Sequence, residues 1–133
     1  MTNLSRLLVL LAGAILLSAC QAHTGTGPIK FSHSATKHLE SYVQRDFPGT
    51  FYVSIDGKRS YYTYCKAVHA TDCYSRIGVR LEQCSKAAGG VPCKVFANRK
   101  SIVWDKPGTF AAYDSKLLRE KLDNYRAVAQ PGA

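Results

Sequence analysis

Cys65, Cys73, Cys84 and Cys93 lie together in the middle of the chain, whereas Cys20 stands alone at the end of an apolar run. Thiols can pair as disulfides, ligate a metal, attack an electrophile or take up a lipid, and spacing separates these chemistries. There is no C-x-x-C pair, so neither a redox dithiol nor a thiolate metal knuckle is indicated. An even set of four in an exported chain reads as two disulfides. Histidines are the other candidate ligands: His23, His33, His38 and His69. The spacing of His33 and His38 misses the i, i+4 interval that stacks two imidazoles on a helix, and the four read as surface residues. His69 sits in "CKAVHATDC" with no G-x-S-x-G elbow or free thiol beside it. Asp56 and Asp72 read as turn and cap residues, and Glu82 and Glu120 as helix-surface charges. No close carboxylate pair and no glycine-rich phosphate loop is present. The expectation is a non-enzymatic chain with no catalytic residue, metal or cofactor.

What positions Cys20 is the segment before it. Arg6 precedes an apolar run from Leu7 to Leu17, and small residues follow. That is the order of an export signal, and the run is shorter than the ~20 apolar residues of a spanning helix. Its end, Leu17-Ser18-Ala19-Cys20, resembles the lipobox of bacterial lipoproteins. The resemblance implies that the Cys20 thiol is diacylated, that the leader is cut just before it, and that the new amino group is acylated too. Cys20 would then leave the thiol pool as a membrane anchor. Two or three acyl chains, at ~0.8 kcal/mol per buried methylene, make such attachment lasting. The same resemblance, with Gln21 where an inner-membrane lipoprotein carries Asp, implies the outer membrane. The expected organisation is a signal peptide over residues 1–19, a lipidated tether over 20–33, and one domain over 34–130. The tether, rich in Gly, Thr, Ser and His, is expected to stay flexible with a reach of about 20 Å.

Periodicity gives the domain its elements. "SATKHLESYVQRDF" places Leu39, Tyr42, Val43 and Phe47 on one helical face, with Ser34 or Thr36 as cap and Pro48-Gly49 as the stop. "TFYVSID" alternates, with Phe51, Val53 and Ile55 facing one way, and "GKR" turns it into "SYYTYC". In the latter, Tyr62 and Tyr64 face one side and Tyr61 the other. "DCYSRIGVRLEQCSKAAGG" carries Ile77, Leu81, Cys84 and Ala88 on one helical face and ends at Gly89-Gly90. "PCKVFA", "NRKS" and "IVW" form a second hairpin, and "DSKLLREKLDNYRAVA" a last helix bearing Leu118, Leu122 and Tyr125 behind Asp114 or Ser115. The order is α-ββ-α-ββ-α: an α+β fold with two hairpins, joined by a central helix, in one small four-stranded antiparallel sheet.

That order limits the disulfides. A single helix from Cys73 to Cys84 would hold their Cα atoms roughly 16 Å apart, beyond the ~7 Å a bridge allows. Of the two connectivities left, Cys65–Cys73 with Cys84–Cys93 closes a short loop at each end of the central helix and is preferred. Phe51 to Trp104 also resembles a recurring module in small secreted proteins of alphaproteobacteria, carried by "FYVSIDGKRSYYTYC", "CKVFA" and "IVW". More loosely, it is similar to a broader bacterial family of unknown function. The module implies this hairpin–helix–strand layout, with two cysteines at the helix ends and no established chemistry.

Charge is the remaining signal. The chain has 18 Lys and Arg against 9 Asp and Glu; without the leader's Arg6 the balance is 17 to 9, a net of +8. Lys58 and Arg59 lie in the first hairpin turn, and Lys94, Arg99 and Lys100 in the second hairpin. If the turns share one end of the sheet, they make one patch for an anionic partner: envelope polysaccharide, peptidoglycan or an acidic envelope protein. Nucleic acid is not expected in that compartment. Two functions follow. One is an outer-membrane lipoprotein whose basic domain binds an anionic envelope component. The other is an accessory lipoprotein of a secretion or surface-polysaccharide system, acting by protein–protein contact.

Overall fold

The computed structural model describes residues 23–111 and 115–126. Residues 17–20, the stretch that resembles a lipobox, and Asp114 lie outside them. Helix α1 spans His33–Val43, strand β1 Pro48–Ser54 and strand β2 Ser60–Tyr64. A 3₁₀ turn at Asp72–Tyr74 leads into helix α2, Ile77–Ala87. Strands β3, Cys93–Asn98, and β4, Ser101–Ile102, precede the short helix α3, Lys116–Lys121. The four strands form one sheet in the order β2-β1-β3-β4, every named pair antiparallel. The fold is the expected α+β arrangement.

Strand β1 is buried along its whole length because both faces of the sheet are covered. Phe51 and Val53 face the larger core with Leu39, Tyr42 and Val43 of α1, Phe96, and Leu118 of α3. Tyr52 points the other way, into a smaller core with Leu81, Cys84, Cys93 and Val95 under α2. Ile55 does not join Phe51 and Val53: the strand ends at Ser54, and Ile55 is half exposed in the turn. Phe47 likewise lies outside α1 and is exposed, since the helix stops at Val43. The N-cap is Ser32, whose Oγ accepts the Ala35 N–H at 3.2 Å; Thr36 is buried and donates its hydroxyl to the Ser32 carbonyl. The last helix is capped by Ser115, whose hydroxyl oxygen accepts the Leu118 N–H.

Residues 23–31 are not a flexible tether. The Val95 N–H donates to the His23 carbonyl at 2.7 Å, and Thr24 bridges Val95 in parallel. Gly25, Gly27, Ile29 and Phe31 then pair with Asp105, Pro107 and Phe110. Ile29 and Phe31 are buried, with Phe31 packed among Phe51, Phe96 and Phe110. The lone Trp104 lies on Gly25, where a Cβ would strike its ring, and its indole N–H donates to the Gly27 carbonyl at 2.9 Å. Two apolar side chains and a glycine face thus outweigh the polar average of the segment. Trp104 itself is beyond β4, which is only two residues long.

Both disulfides have the preferred connectivity, Cys65–Cys73 and Cys84–Cys93, with Cα–Cα distances of 5.2 and 5.9 Å. The central helix is not continuous from Cys73, however: Ser75 is extended and Arg76 takes φ 58° before α2 begins. Cys73 therefore belongs to the loop, pinned there by Thr63. The Thr63 hydroxyl donates to the Cys73 carbonyl at 2.7 Å and accepts the Thr50 N–H at 3.0 Å, bridging an irregularity where β1 gains a residue on β2. Thr63→Val keeps the shape but leaves a buried donor and acceptor unpaired. It is expected to cost about 2 kcal/mol or more in chemical denaturation; an unchanged midpoint would show that this bridge does not hold the loop.

Candidate functional site

The β3–β4 turn consists of two residues, Arg99 and Lys100, between the paired Asn98 and Ser101. Both have positive φ, 50° and 70°. Two-residue hairpin turns of this kind favour Asn-Gly, because a Cβ in the left-handed region costs roughly 1–2 kcal/mol per residue. Two long cations here are therefore strained, and such strain persists only where neighbours over-determine it. They do so here. The Arg99 N–H donates to the Gly49 carbonyl at 3.0 Å, and the Lys100 N–H to the Tyr42 hydroxyl oxygen at 3.3 Å. The Lys100 carbonyl accepts the Asp123 N–H at 2.9 Å. Burial pushes the Tyr42 phenol well above its ordinary pKa, so it stays protonated and donates to the Gly49 carbonyl at 2.9 Å.

Beside this turn, the loop closed by Cys65–Cys73 makes one wall of a groove of about 550 Å³. Arg99 and Lys100 line it with His69, Thr71, Tyr74 and Asp46. The Arg99 guanidinium lies over the Tyr74 ring, 4.4 Å from its centroid. Stacking holds the plane of the guanidinium while leaving its donor edge for a planar anion. At the same end of the sheet, Arg45 stacks on Tyr64 at 4.1 Å. Tyr64, nearly half exposed, is thus beside Arg45 and not beside Lys58 and Arg59, while Tyr62 and Tyr61 pack against the two cores.

Lys58 and Arg59 are elsewhere. Since β3 runs antiparallel to β1, Thr50 pairs with Asn98 and Ser54 with Cys93. The β1–β2 turn and the β3–β4 turn therefore fall at opposite ends of the sheet, with Lys94 at the Lys58 end. From Thr50 to Ser54 alone is about 13 Å, more than the ~8 Å over which exposed charges act at physiological salt. The five cations do not form the single patch expected from shared turns. They form two.

The Lys58 end has its own groove, about 420 Å³, lined by Lys37, His38, Lys58, Arg59 and Ser60. His38 is not an incidental surface histidine: its Nδ1 lies 2.8 Å from the Ser60 Oγ, and its ring meets Tyr62 and Phe51 edge-on. Desolvation lowers its pKa below the ordinary 6.5, favouring a neutral ring. A serine beside a neutral imidazole meets one requirement of a nucleophile, but among the described residues no group orients the other ring nitrogen, as a catalytic base requires. His38 and Ser60 are 22 residues apart in sequence and become neighbours only because β2 packs on α1. Among the described residues, no cluster of three or more His, Cys, Asp or Glu is placed to hold a metal, and no helix is long and apolar enough to cross a membrane. No protein-family model, curated protein or solved structure matches the chain.

The strain has a measurable consequence. Lys100→Gly relieves one left-handed Cβ and is expected to raise unfolding stability by about 1 kcal/mol. A loss of stability in denaturant titration would mean that the lysine stem, and not its backbone bonds, holds the turn.

Proposed function

We propose that this chain is an outer-membrane-anchored, non-enzymatic envelope lipoprotein whose basic domain binds an anionic envelope component. Binding is assigned to the groove of Arg99 and Lys100. The observation that carries the reading is the strained cationic turn, kept in place by bonds to Gly49, Tyr42 and Asp123 and opening on a groove. Relieving that strain needs only Asn or Gly, so retaining two cations there suits a binding role better than a structural one. Thr71 and His69 supply further hydrogen-bonding groups, and the stacked Arg99 supplies a planar fork for carboxylate or phosphate. Asp46 in the same groove disfavours partners with dense negative charge and favours spaced anions, as along a polysaccharide or peptidoglycan strand. The anchor is assigned to Cys20 from its lipobox.

Exposed Phe47, Tyr64 and Val68 near this groove favour a second reading, an accessory lipoprotein of a secretion or surface-polysaccharide system that docks a protein there. Sedimentation with purified peptidoglycan or an anionic polysaccharide separates the two. Binding is expected to weaken with salt, and Arg99→Glu with Lys100→Glu to weaken it about tenfold for each charge-assisted hydrogen bond removed. Lys58→Glu with Arg59→Glu should leave it intact. Undiminished binding by the Arg99/Lys100 reversal would sink the groove assignment, and recovery of a defined protein complex by crosslinking would favour the second reading. For the anchor, palmitate labelling is expected to vanish in Cys20→Ser; a labelled variant would refute acylation at that thiol.

A further inference from the structure

We infer that the end of the sheet bearing Lys30, Lys58, Arg59 and Lys94 rests on the membrane, against the phosphates of anionic lipid headgroups. The inference rests on the proposed acylation of Cys20, and it follows from where the chain enters the fold. The His23 carbonyl accepts the Val95 N–H, and Thr24 bridges Val95 in parallel. A strand parallel to β3 arrives from the β3 N-terminal side, which is the Cys93 end. Only three peptide links join Cys20 to His23, a span of at most about 11 Å. The radius of gyration of a hundred-residue domain is about 13 Å. An anchor shorter than the domain's own radius cannot hold it clear of the bilayer or let it present any face at random.

The surface brought to the bilayer is the basic one. Lys58 and Arg59 are exposed in the β1–β2 turn, and Lys94 pairs in register with Val53 near the end of β1. Lys30 joins them: the Ser32 N–H donates to the Gly57 carbonyl at 2.9 Å, and a Cβ on Gly57 would strike the Lys30 carbonyl. Asp56, the one carboxylate within this turn, is exposed but bonded inside the turn, accepting the Ser54 hydroxyl at 2.6 Å and the Lys58 N–H at 3.1 Å, and its single charge leaves the four cations in excess. The other end is mixed in sign, with Asp46 in the groove and Asp123 bonded at the turn. Each basic side chain near an anionic leaflet is worth roughly fivefold in affinity. The cations and the anchor therefore act on the same side of the domain, and the Arg99 groove faces away from the membrane.

Amine footprinting of the full-length acylated protein tests this. The protein is placed in vesicles of phosphatidylcholine alone or of phosphatidylcholine with phosphatidylglycerol, and modification of each lysine is followed by mass spectrometry. Lys30 and Lys58 are expected to react severalfold more slowly on the anionic vesicles. Lys66 and Lys100, at the far end, should react equally on both, and the difference should fade near 1 M salt, where screening acts within about 3 Å. Equal rates at all four lysines, or slowing at Lys66 and Lys100 instead, would overturn the orientation while leaving the anchor standing. Failure to float with phosphatidylcholine vesicles would remove the anchor, and the orientation with it. Lys58→Glu with Arg59→Glu should still float but lose most of the slowing at Lys30; full slowing in that variant would also overturn the proposal.

Discussion

Gly49 is the point on which the Arg99 end of the molecule depends. A Cβ there would come within 2.8 Å of the Thr63 carbonyl, so only glycine lets β1 approach β2 at the irregularity between Pro48 and Phe51. Its carbonyl accepts two hydrogen bonds, from the Tyr42 hydroxyl and from the Arg99 N–H. One residue thus joins the end of α1, the first strand and the β3–β4 turn. The Thr63 hydroxyl, lodged against the same glycine, extends the connection to Cys73 and the disulfide loop. The strained turn, the groove wall and the stacked Arg99 are consequences of that junction. The buried surroundings make each bond costly to break, which is why the turn tolerates two side chains its backbone disfavours.

The second constraint is the antiparallel pairing of β1 with both neighbours. β1 ends at the Lys58 turn, whereas β3, antiparallel to it, ends beside Thr50 and turns into β4 there. With β3 reached through α2, the Lys58 turn and the Arg99 turn are separated by the length of β1. The charge excess of the chain is therefore divided. Each share is met by a different arrangement: open, flanked by exposed lysines at one end, and narrowed by the disulfide loop and aromatic rings at the other.

Much of this was legible in the residues. Helical spacing in Leu39, Tyr42 and Val43, alternation in Phe51, Tyr52 and Val53, and the positions of the four cysteines lead to the fold and to the disulfide pairs, because local period and short loop closure dominate them. Other features depend on contacts distant in sequence. Pro48-Gly49 reads as a helix stop, and nothing local says that Gly49 is a strand residue beneath Thr63. The composition of residues 21–33 describes a linker, yet Ile29 and Phe31 find a core supplied by Phe96 and Phe110. His38 looks incidental until β2 sets Ser60 beside it. The ends on which the cations fall required the strand order, which no single segment encodes.

The two disulfides complete the division. Cys65–Cys73 closes the loop beside the Arg99 groove, and Cys84–Cys93 ties α2 to the start of β3 at the Lys58 end. Each end is built largely of irregular chain, whose ordering costs conformational entropy that strand pairing does not offset there. Short crosslinks, each worth about 2–3 kcal/mol by restricting the unfolded chain, supply the difference without using side chains at either end. The exposed residues there are released from the core. At the Arg99 end that freedom permits a strained cationic turn, and at the Lys58 end it permits cations placed where the chain enters the fold.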